Sequence, residues 1–178
     1  MKLHWHWTPG AGGLLALVPA SALDAAGRGG VTLAIPVPPA AAPVRPLHLT
    51  VLASRSMAPL VGLLDPAILL PQLPPIELPD FDPKVYVAKR GPHPDKDLPH
   101  ESRPRHTGFL AVDDAGQAHW HAVLQDVVRR LDHASRAAGG PPFAHPEPKR
   151  FFHLSVWNNR KGDARRSIGD IQASDRGV

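Results

Sequence analysis

The sequence predicts an α+β fold on three observations. Several short runs rich in aliphatic and β-branched residues are typical of β-strands. One segment, 117–137, has the apolar spacing of a long amphipathic helix. The chain of 178 residues also contains 22 prolines and 15 glycines, which favour many loops and few long helices. A chain of this length predicts one domain, 1–178, and its 43% of hydrophobic residues suffices for a core.

The expected elements follow along the chain. Strands are predicted at 3–8, 14–18, 31–37, 47–53, 85–89, 107–112 and 151–157, with a short helix or turn at 20–26. Ser56 is expected to cap a short helix over 57–64. A turn at 113–116 precedes the long helix, and the Gly-Gly-Pro-Pro run at 139–142 ends it.

Four segments are expected to be irregular. Residues 36–46, rich in proline and alanine, form a connection, and residues 65–79 hold too many prolines for a regular helix. Residues 91–105 contain four prolines, and a connection of this length is typical of a substrate-side loop or of a mobile one. The mostly polar residues 158–178 are expected to form an irregular tail.

Composition excludes several classes of site. The absence of cysteine rules out disulfides, thiolate metal sites and cysteine nucleophiles. The chain also lacks a P-loop, a dinucleotide-binding glycine motif and a Gly-x-Ser-x-Gly elbow. A net charge of +4 and a pI near 9.9 favour an anionic partner without identifying it.

The sequence favours a cytoplasmic location with no membrane partner. No apolar run reaches the ~20 residues needed to cross a bilayer. Residues 12–18 are apolar and 20–22 imitate a signal-peptide cleavage site, but the His-Trp-His-Trp run at 4–7 is a poor start for a signal peptide. The lack of cysteine is compatible with a reducing compartment.

One short pattern occurs twice in a strand-like context. Residues 47–51 and 152–156 both have the order apolar, His, Leu, hydroxyl, Val. Positions i and i+2 of a strand point to one face, so each segment presents an imidazole beside a hydroxyl. The pairs are His48 with Thr50 and His153 with Ser155. His-x-Ser/Thr also occurs at 6–8, 100–102 and 133–135, but in a weaker strand run, a charged stretch and a helix end.

These motifs resemble the signature of the 2H phosphoesterases, a family with the LigT-like fold. Members carry two His-x-Thr/Ser motifs on strands of two related lobes. The resemblance covers the two motif segments well and the rest of the chain in outline. It implies a two-lobed domain in which antiparallel sheets line a central cleft, with helices packed outside. It also implies that His48 and His153 face each other across this cleft.

The resemblance implies hydrolysis of 2′,3′-cyclic phosphodiesters. A base must deprotonate water and an acid must protonate the leaving ribose oxygen, and histidine does both because its unperturbed pKa is ~6.5. His48 and His153 are therefore the expected catalytic pair. Thr50 and Ser155 are expected to donate hydrogen bonds to the non-bridging phosphate oxygens. No metal or other cofactor is required, and the sequence leaves open which histidine is the acid.

Basic and aromatic residues near the motifs are candidates for holding the substrate. Arg55 follows the first motif strand, and Arg160 and Arg165 belong to a basic run after the second. Such a run predicts either a positive rim for a phosphorylated substrate or a solvated surface. Tyr86 lies on another predicted strand. Trp157 has the strand parity of the second motif, which suits either base stacking or core packing.

Two His-Trp-His triplets suggest a metal site as an alternative. His4 and His6 share one face of a predicted strand, a spacing that suits zinc or copper. His119 and His121 diverge on a helix and do not suit chelation. Because no cysteine, His-Glu-x-x-His motif or carboxylate cluster completes a set of ligands, no metal site is predicted.

The expected partner is an RNA end or a small nucleotide with a cyclic phosphate, bound by a monomer. A 2′,5′-RNA ligase-like activity stays open. The rival hypothesis is a non-catalytic RNA- or nucleotide-binding module on the same fold. Such a module loses affinity steeply with salt and shows no bell-shaped pH–rate profile. The presence of both hydroxyls beside both histidines favours the enzyme.

Overall fold

The computed structural model describes residues 1–19, 21–22, 37–94, 97–144, 150–163 and 166–177. Its strands are β1 (His4–His6), β2 (Leu14–Leu17), β3 (Ala42–Pro43), β4 (His48–Leu52), β5 (Phe81–Arg90), β6 (Arg105–Val112) and β7 (His153–Asn158). Its α-helices are α1 (Ser54–Met57), α2 (Pro66–Leu69) and α3 (Asp114–Ala137), with 3-10 turns at Ala58–Leu60, Leu70–Gln72 and Ala173–Arg176. The α+β class is confirmed, and in this part of the chain α3 is the one long helix.

The strands form two antiparallel sheets. The first sheet has the order β1-β2-β4, and the second sheet has the order β3-β7-β6-β5. Phe109 on β6 pairs with Tyr86 on β5 and with Ser155 on β7, so these three residues form one row across the second sheet. The motif strand β4 is an edge strand of the first sheet, whereas β7 is an interior strand of the second.

One apolar core joins α3 to both sheets. The buried side of α3, including Trp120, Val127 and Leu131, lies in one cluster with Leu49 of β4 and Leu154 of β7. Complete burial of an aliphatic or aromatic side chain stabilises the fold by ~1.5–3 kcal/mol. Because the same core contains residues of both sheets, it fixes their relative position.

A short stretch of chain, the crossing segment 44–47, connects the two sheets. β3 pairs with the end of β7, and the Val44 N–H continues this ladder by donating to the Val156 carbonyl at 2.9 Å. At the other end of the segment, the Leu47 carbonyl accepts from the Val18 N–H at 2.9 Å, and the chain enters the first sheet as β4. The first motif strand, β4, therefore follows closely in the chain after β3, which pairs with the second motif strand, β7.

Most of the predicted strands are present. β1, β2, β4, β6 and β7 coincide with predicted runs, and β5 is longer than predicted. β3 was missed, since it lies inside the segment 36–46 that was predicted as a connection. Apart from Val37, which is exposed and in no strand, the strand predicted at 31–37 lies outside the described residues. So does most of the helix or turn predicted at 20–26.

The helix predicted over 57–64 is wrong. Helix α1 begins earlier, and Ser56 lies inside it with only 6% of its surface exposed, so it does not cap a following helix. The chain tightens into the 3-10 turn and then reaches Gly62, whose φ of 77° is incompatible with a continuing right-handed helix. The helix is shortened by backbone turns that hydrophobic spacing does not reveal.

Helix α3 begins three positions before the predicted start. The Asp113 carboxylate accepts a hydrogen bond from the Gly116 N–H at 2.7 Å, which makes Asp113 the N-cap. Residues 113–116, predicted as a turn, are therefore the cap and first turn of the helix. Gly139, with φ 77°, follows the last helical turn, so the predicted end of the helix is confirmed.

The C-terminal residues 166–177 pack on the second sheet. Apart from one 3-10 turn they are irregular, as predicted. Ile168 and Ile171 are 1% and 2% exposed and lie in a cluster with Ala88, Phe109 and Ala111. Within the described part of the chain, no helix is both long enough and apolar enough to cross a membrane.

Candidate functional site

Strand β4 presents the first motif at the edge of the first sheet. His48 and Thr50 are half-buried, while Leu49 and Val51 between and beyond them are fully buried. This alternation is the normal consequence of strand geometry with one face on the core. The imidazole and the hydroxyl therefore lie side by side on the more open face.

Strand β7 presents the second motif in more apolar surroundings. His153 is half-buried and Ser155 is 9% exposed. The His153 ring meets the Phe109 ring edge-on, with centroids 5.7 Å apart, and stacks on Phe151 at 6.4 Å. Two aromatic rings therefore hold this imidazole. Phe151 lies two residues before His153, so strand parity predicts it on the same face, whereas nothing in the sequence pointed to Phe109.

The two histidines are anchored in the same way. The Nδ1 of His48 lies 2.9 Å from the Pro46 carbonyl oxygen, and the Nδ1 of His153 lies 3.1 Å from the Phe151 carbonyl oxygen. A carbonyl only accepts, so each Nδ1 carries the proton and donates it. In the neutral ring, Nε2 is then the nitrogen with a free lone pair, as a general base requires.

The fold brings the two motif histidines to one place. β3 runs antiparallel to β7, so following the chain from Pro43 toward His48 leads along β7 toward His153. β4 and β7 contact each other. The charge of His48 also lowers the pKa of His153, an electrostatic effect that weakens with distance. The histidines therefore lie where the two sheets meet.

Arg150, three residues before His153, acts electrostatically on both motif histidines. Its positive charge lowers the pKa of both His48 and His153. A cation near both rings is suited to attract a phosphate. Sequence analysis missed this residue, and the one available signal was a basic side chain just before a motif strand.

Burial depresses the pKa of both imidazoles. Desolvation lowers the pKa of His48, partly opposed by its hydrogen bond to Pro46, and the charges of His6 and Arg150 lower it further. Desolvation lowers the pKa of His153 to about 4, and the hydrogen bond to Phe151 opposes this. Both rings therefore favour the neutral state, His153 more strongly.

The open face of the first sheet carries two more histidines. Through β2, His4 lies in register with His48, and His6 lies in register with Thr50. His4 and His6 are both exposed on β1, so they share a face as the strand spacing predicts. Among the described residues, no three histidine, aspartate or glutamate side chains converge as metal ligands.

Tyr86 lies on the motif face of the second sheet. It belongs to the row with Phe109 and Ser155, and its ring centroid lies 5.6 Å from that of Phe109. Burial raises the pKa of its hydroxyl, and Asp82 raises it further. The Lys84 ammonium lies 5.1 Å from the ring centroid. Tyr86 is therefore a candidate substrate-binding residue on the same sheet face as His153.

Trp157 does not share the face of His153. The register between β6 and β7 shifts beside Gly108, so strand parity is not maintained along β7. The indole is 4% exposed, lies in the main core, and covers Gly108 so closely that a Cβ there would clash with it. Of the two predicted uses of Trp157, core packing is confirmed, whereas its predicted parity with His153 and its candidate role in substrate binding are not.

Arg160 does not form an open basic rim. Its side chain is 1% exposed, and Nε donates to Asp97 Oδ1 at 2.7 Å while Nη2 donates to the Arg103 carbonyl at 2.8 Å. Arg105 and Arg166 also lie 3.8 Å and 3.5 Å from the same carboxylate. We call this group the Asp97 ion cluster, and it joins the loop 91–105 to the chain after β7.

The Asp97 ion cluster anchors that loop. Burial raises the pKa of Asp97, but hydrogen bonds from Arg160 and the His93 N–H outweigh it, and the resulting pKa is about 2. Glu101 adds a second carboxylate, contacting both Arg160 and Arg166. At the described positions, the loop predicted as substrate-side or mobile is held by buried charge pairs. An isolated sequence gives no sign of which charges will pair at this separation.

The pocket beside Arg55 does not contain the motif histidines. Arg55 is exposed and lines a small pocket of about 140 Å³ with Phe143 and neighbouring prolines, and the lining includes neither motif histidine. Arg165 lies outside the described residues.

The candidate site thus comprises His48 and Thr50 on β4, His153 and Ser155 on β7, and Arg150, with Phe109, Phe151 and Tyr86 on the side of the second sheet. Comparison of the chain with models of protein families, with curated proteins and with solved structures finds no match.

Proposed function

We propose that this protein is a cyclic phosphodiesterase that hydrolyses 2′,3′-cyclic phosphates at RNA ends or on small nucleotides. The observation that supports the proposal is the contact between β4 and β7, together with the effect of the His48 charge on the pKa of His153. On this proposal the domain has the two-lobed arrangement of the 2H phosphoesterases, with the cleft between the two sheets.

The anchoring of both rings supports an acid–base role. Each imidazole holds its Nδ1 proton on a backbone carbonyl two residues earlier, so Nε2 is left for chemistry. Proton transfer by a positioned imidazole accelerates such reactions by ~10²–10⁴-fold. Two imidazoles in one site supply both the base and the acid of a phosphodiester hydrolysis.

We assign His153 as the base and His48 as the acid. A pKa of about 4 keeps His153 neutral at physiological pH, ready to take the proton of the attacking water. The depression is smaller at His48, which therefore keeps its proton to a higher pH. Water oxygen attacks phosphorus and its proton passes to Nε2 of His153. The bond from phosphorus to the leaving ribose oxygen breaks, and that oxygen takes the proton from Nε2 of His48.

Two hydroxyls and one cation are suited to stabilise the phosphorane-like transition state. Thr50 and Ser155 each lie two residues beyond a motif histidine. They donate hydrogen bonds to the non-bridging oxygens as negative charge grows there. Arg150, whose charge reaches both histidines, attracts the phosphate. The proposed reaction needs no metal ion, because proton transfer and charge stabilisation come from side chains.

The test is hydrolysis of 2′,3′-cyclic nucleotides and of a short RNA with a cyclic phosphate end, in EDTA. We expect turnover by the wild type and loss of turnover in His48→Ala and His153→Ala. His133→Ala is the matched control, since it removes an exposed histidine from the His-Ala-Ser run on α3. The isomer of the product identifies the leaving oxygen.

The outcome decides between an enzyme and a binding module. Full activity in both motif variants would overturn the acid–base proposal. A folded wild type that binds these substrates with steep salt dependence, but turns over none of them, would indicate a non-catalytic module instead.

A further inference from the structure

Gln117, in the first turns of α3, is bonded to the start of the second motif strand. Its Oε1 accepts from the Phe152 N–H at 2.9 Å. Its Nε2 donates to the Phe152 carbonyl at 2.7 Å and to the Val112 carbonyl at 3.1 Å. One side chain therefore holds both backbone polar groups of the residue immediately before His153.

The peptide group between Phe151 and Phe152 connects Gln117 to the imidazole. This peptide is planar, so its two polar groups move together. Its N–H, from Phe152, donates a hydrogen bond to Gln117 Oε1, and its carbonyl, from Phe151, accepts the hydrogen bond from His153 Nδ1. A rotation of this plane moves both hydrogen bonds together. Accepting a bond from the N–H also polarises the carbonyl and strengthens its acceptance. The contacts form a chain from Gln117 through one peptide to His153.

We propose that Gln117 is a positioning residue for His153, holding the peptide that fixes the ring's orientation and its Nδ1–H tautomer. The proposal rests on the proposed function for its catalytic meaning, but its effect is measurable at the ring itself. Without the glutamine, the Phe151 carbonyl loses its fixed orientation, and the ring is free to populate the Nε2–H tautomer. That tautomer has no lone pair on the nitrogen assigned as base.

The experiment uses full-length protein labelled with ¹⁵N-histidine. Gln117→Met keeps the length and volume of the side chain but removes all three hydrogen bonds. Gln125→Met is the matched control, since it makes the same change at an exposed position of the same helix. The ¹⁵N shifts of His153, assigned by its loss in His153→Asn, give the tautomer and the titration midpoint. Single-turnover and steady-state rates on a 2′,3′-cyclic nucleotide are measured in parallel.

We expect His153 to be the Nδ1–H tautomer in the wild type and in Gln125→Met, and a mixture of tautomers in Gln117→Met. We expect kcat to fall by ~10²-fold in Gln117→Met with little change in KM, as for a misplaced catalytic group. An unchanged His153 tautomer in folded Gln117→Met overturns the positioning proposal. If Gln117→Met does not fold, Gln117→Asn gives the same comparison, because it keeps the amide but withdraws it from Phe152.

The two proposals fail in distinguishable ways. If the wild type hydrolyses no cyclic phosphodiester, the proposed function fails, yet the tautomer comparison still decides whether Gln117 positions the ring. If the tautomer is unchanged while kcat falls, the enzyme assignment stands and Gln117 acts only through general stability.

Discussion

The two motif strands carry the same anchoring contact in different surroundings. In both, the imidazole Nδ1 donates to the carbonyl two residues earlier. The carbonyl of the intervening residue accepts from a neighbouring segment of the chain, Leu47 from Val18 and Phe152 from Val112. β4 is an edge strand, and its open face carries other histidines. β7 is interior, and its histidine lies against aromatic rings. The two motifs have the same pattern but different surroundings, so the imidazoles of His48 and His153 are expected to have different pKa values and different roles.

The largest expected effect separates the acid from the base. His48→Ala and His153→Ala should each lose about 10²–10⁴-fold in kcat on a cyclic nucleotide. On a phosphodiester with a nitrophenolate leaving group, which departs without protonation, His48→Ala should recover most of its activity and His153→Ala should not. The measurement is the ratio of rates on the two substrates. Recovery in His153→Ala alone would reverse the assignment.

The motif hydroxyls provide the next comparison. Thr50→Val and Ser155→Ala remove one hydrogen-bond donor each with little change in shape. Loss of a transition-state donor is expected to lower kcat by about 10²–10³-fold while the free energy of unfolding changes little. Thr107→Val is a control on the second sheet, since its buried hydroxyl accepts from the Ile168 N–H. That variant should lose stability and keep its turnover. A wild-type kcat in both motif variants would show that the hydroxyls do not contact the phosphate.

The chain after β7 is anchored by charge, which gives a stability prediction. Arg160→Met leaves the nearly buried Asp97 without its shortest ion pair. Removing one partner of a buried pair costs about 3–5 kcal/mol, and the lower value is expected because Arg105 and Arg166 remain. Urea unfolding measures the loss. The matched control Arg129→Met, whose side chain is 77% exposed on α3, should cost less than about 1 kcal/mol.

The smallest expected effect lies in the pH–rate profile. kcat/KM requires neutral His153 and protonated His48, so it should rise as pH passes about 4 and fall before pH 6.5, the ordinary value of histidine. In Arg150→Met the positive charge that lowers both pKa values is gone, so both limbs should move to higher pH. Added salt screens the charge of Arg150, so it should bring the pH–rate profiles of the wild type and of Arg150→Met closer together. A maximum above pH 7 in the wild type would contradict the assigned pKa values.

Strand periodicity predicted much of the fold and the local geometry of each motif. The alternation in β4 depends on neighbouring residues only, so His48 and Thr50 could be assigned to one face from the sequence. β3 could not be predicted, because its two residues are a strand only through their pairing with β7. The register shift beside Gly108, which turns Trp157 into the core, likewise depends on how two strands pair.

The rest of the candidate site depends on contacts between distant residues. Arg160 looks like a surface cation in sequence, but a carboxylate from the loop 91–105 pairs with it inside the protein. Gln117 looks like an ordinary helical residue, and its role becomes visible only when α3 is placed against Phe152. The sequence shows that a side chain is charged or polar, but the fold decides which group it pairs with.

The crossing segment gives the site an unusual sensitivity to chain length. Because 44–47 follows directly on β3, which pairs with β7, and leads directly into the strand that carries His48, the separation of the two histidines is set by a few consecutive peptide units. One inserted residue there would shift every following residue of β4 by one position and turn the imidazole toward the core. Insertions in the distant surface turns should be tolerated far better. The spacing of two histidines that are far apart in sequence is thus controlled by the length of a four-residue segment, 44–47.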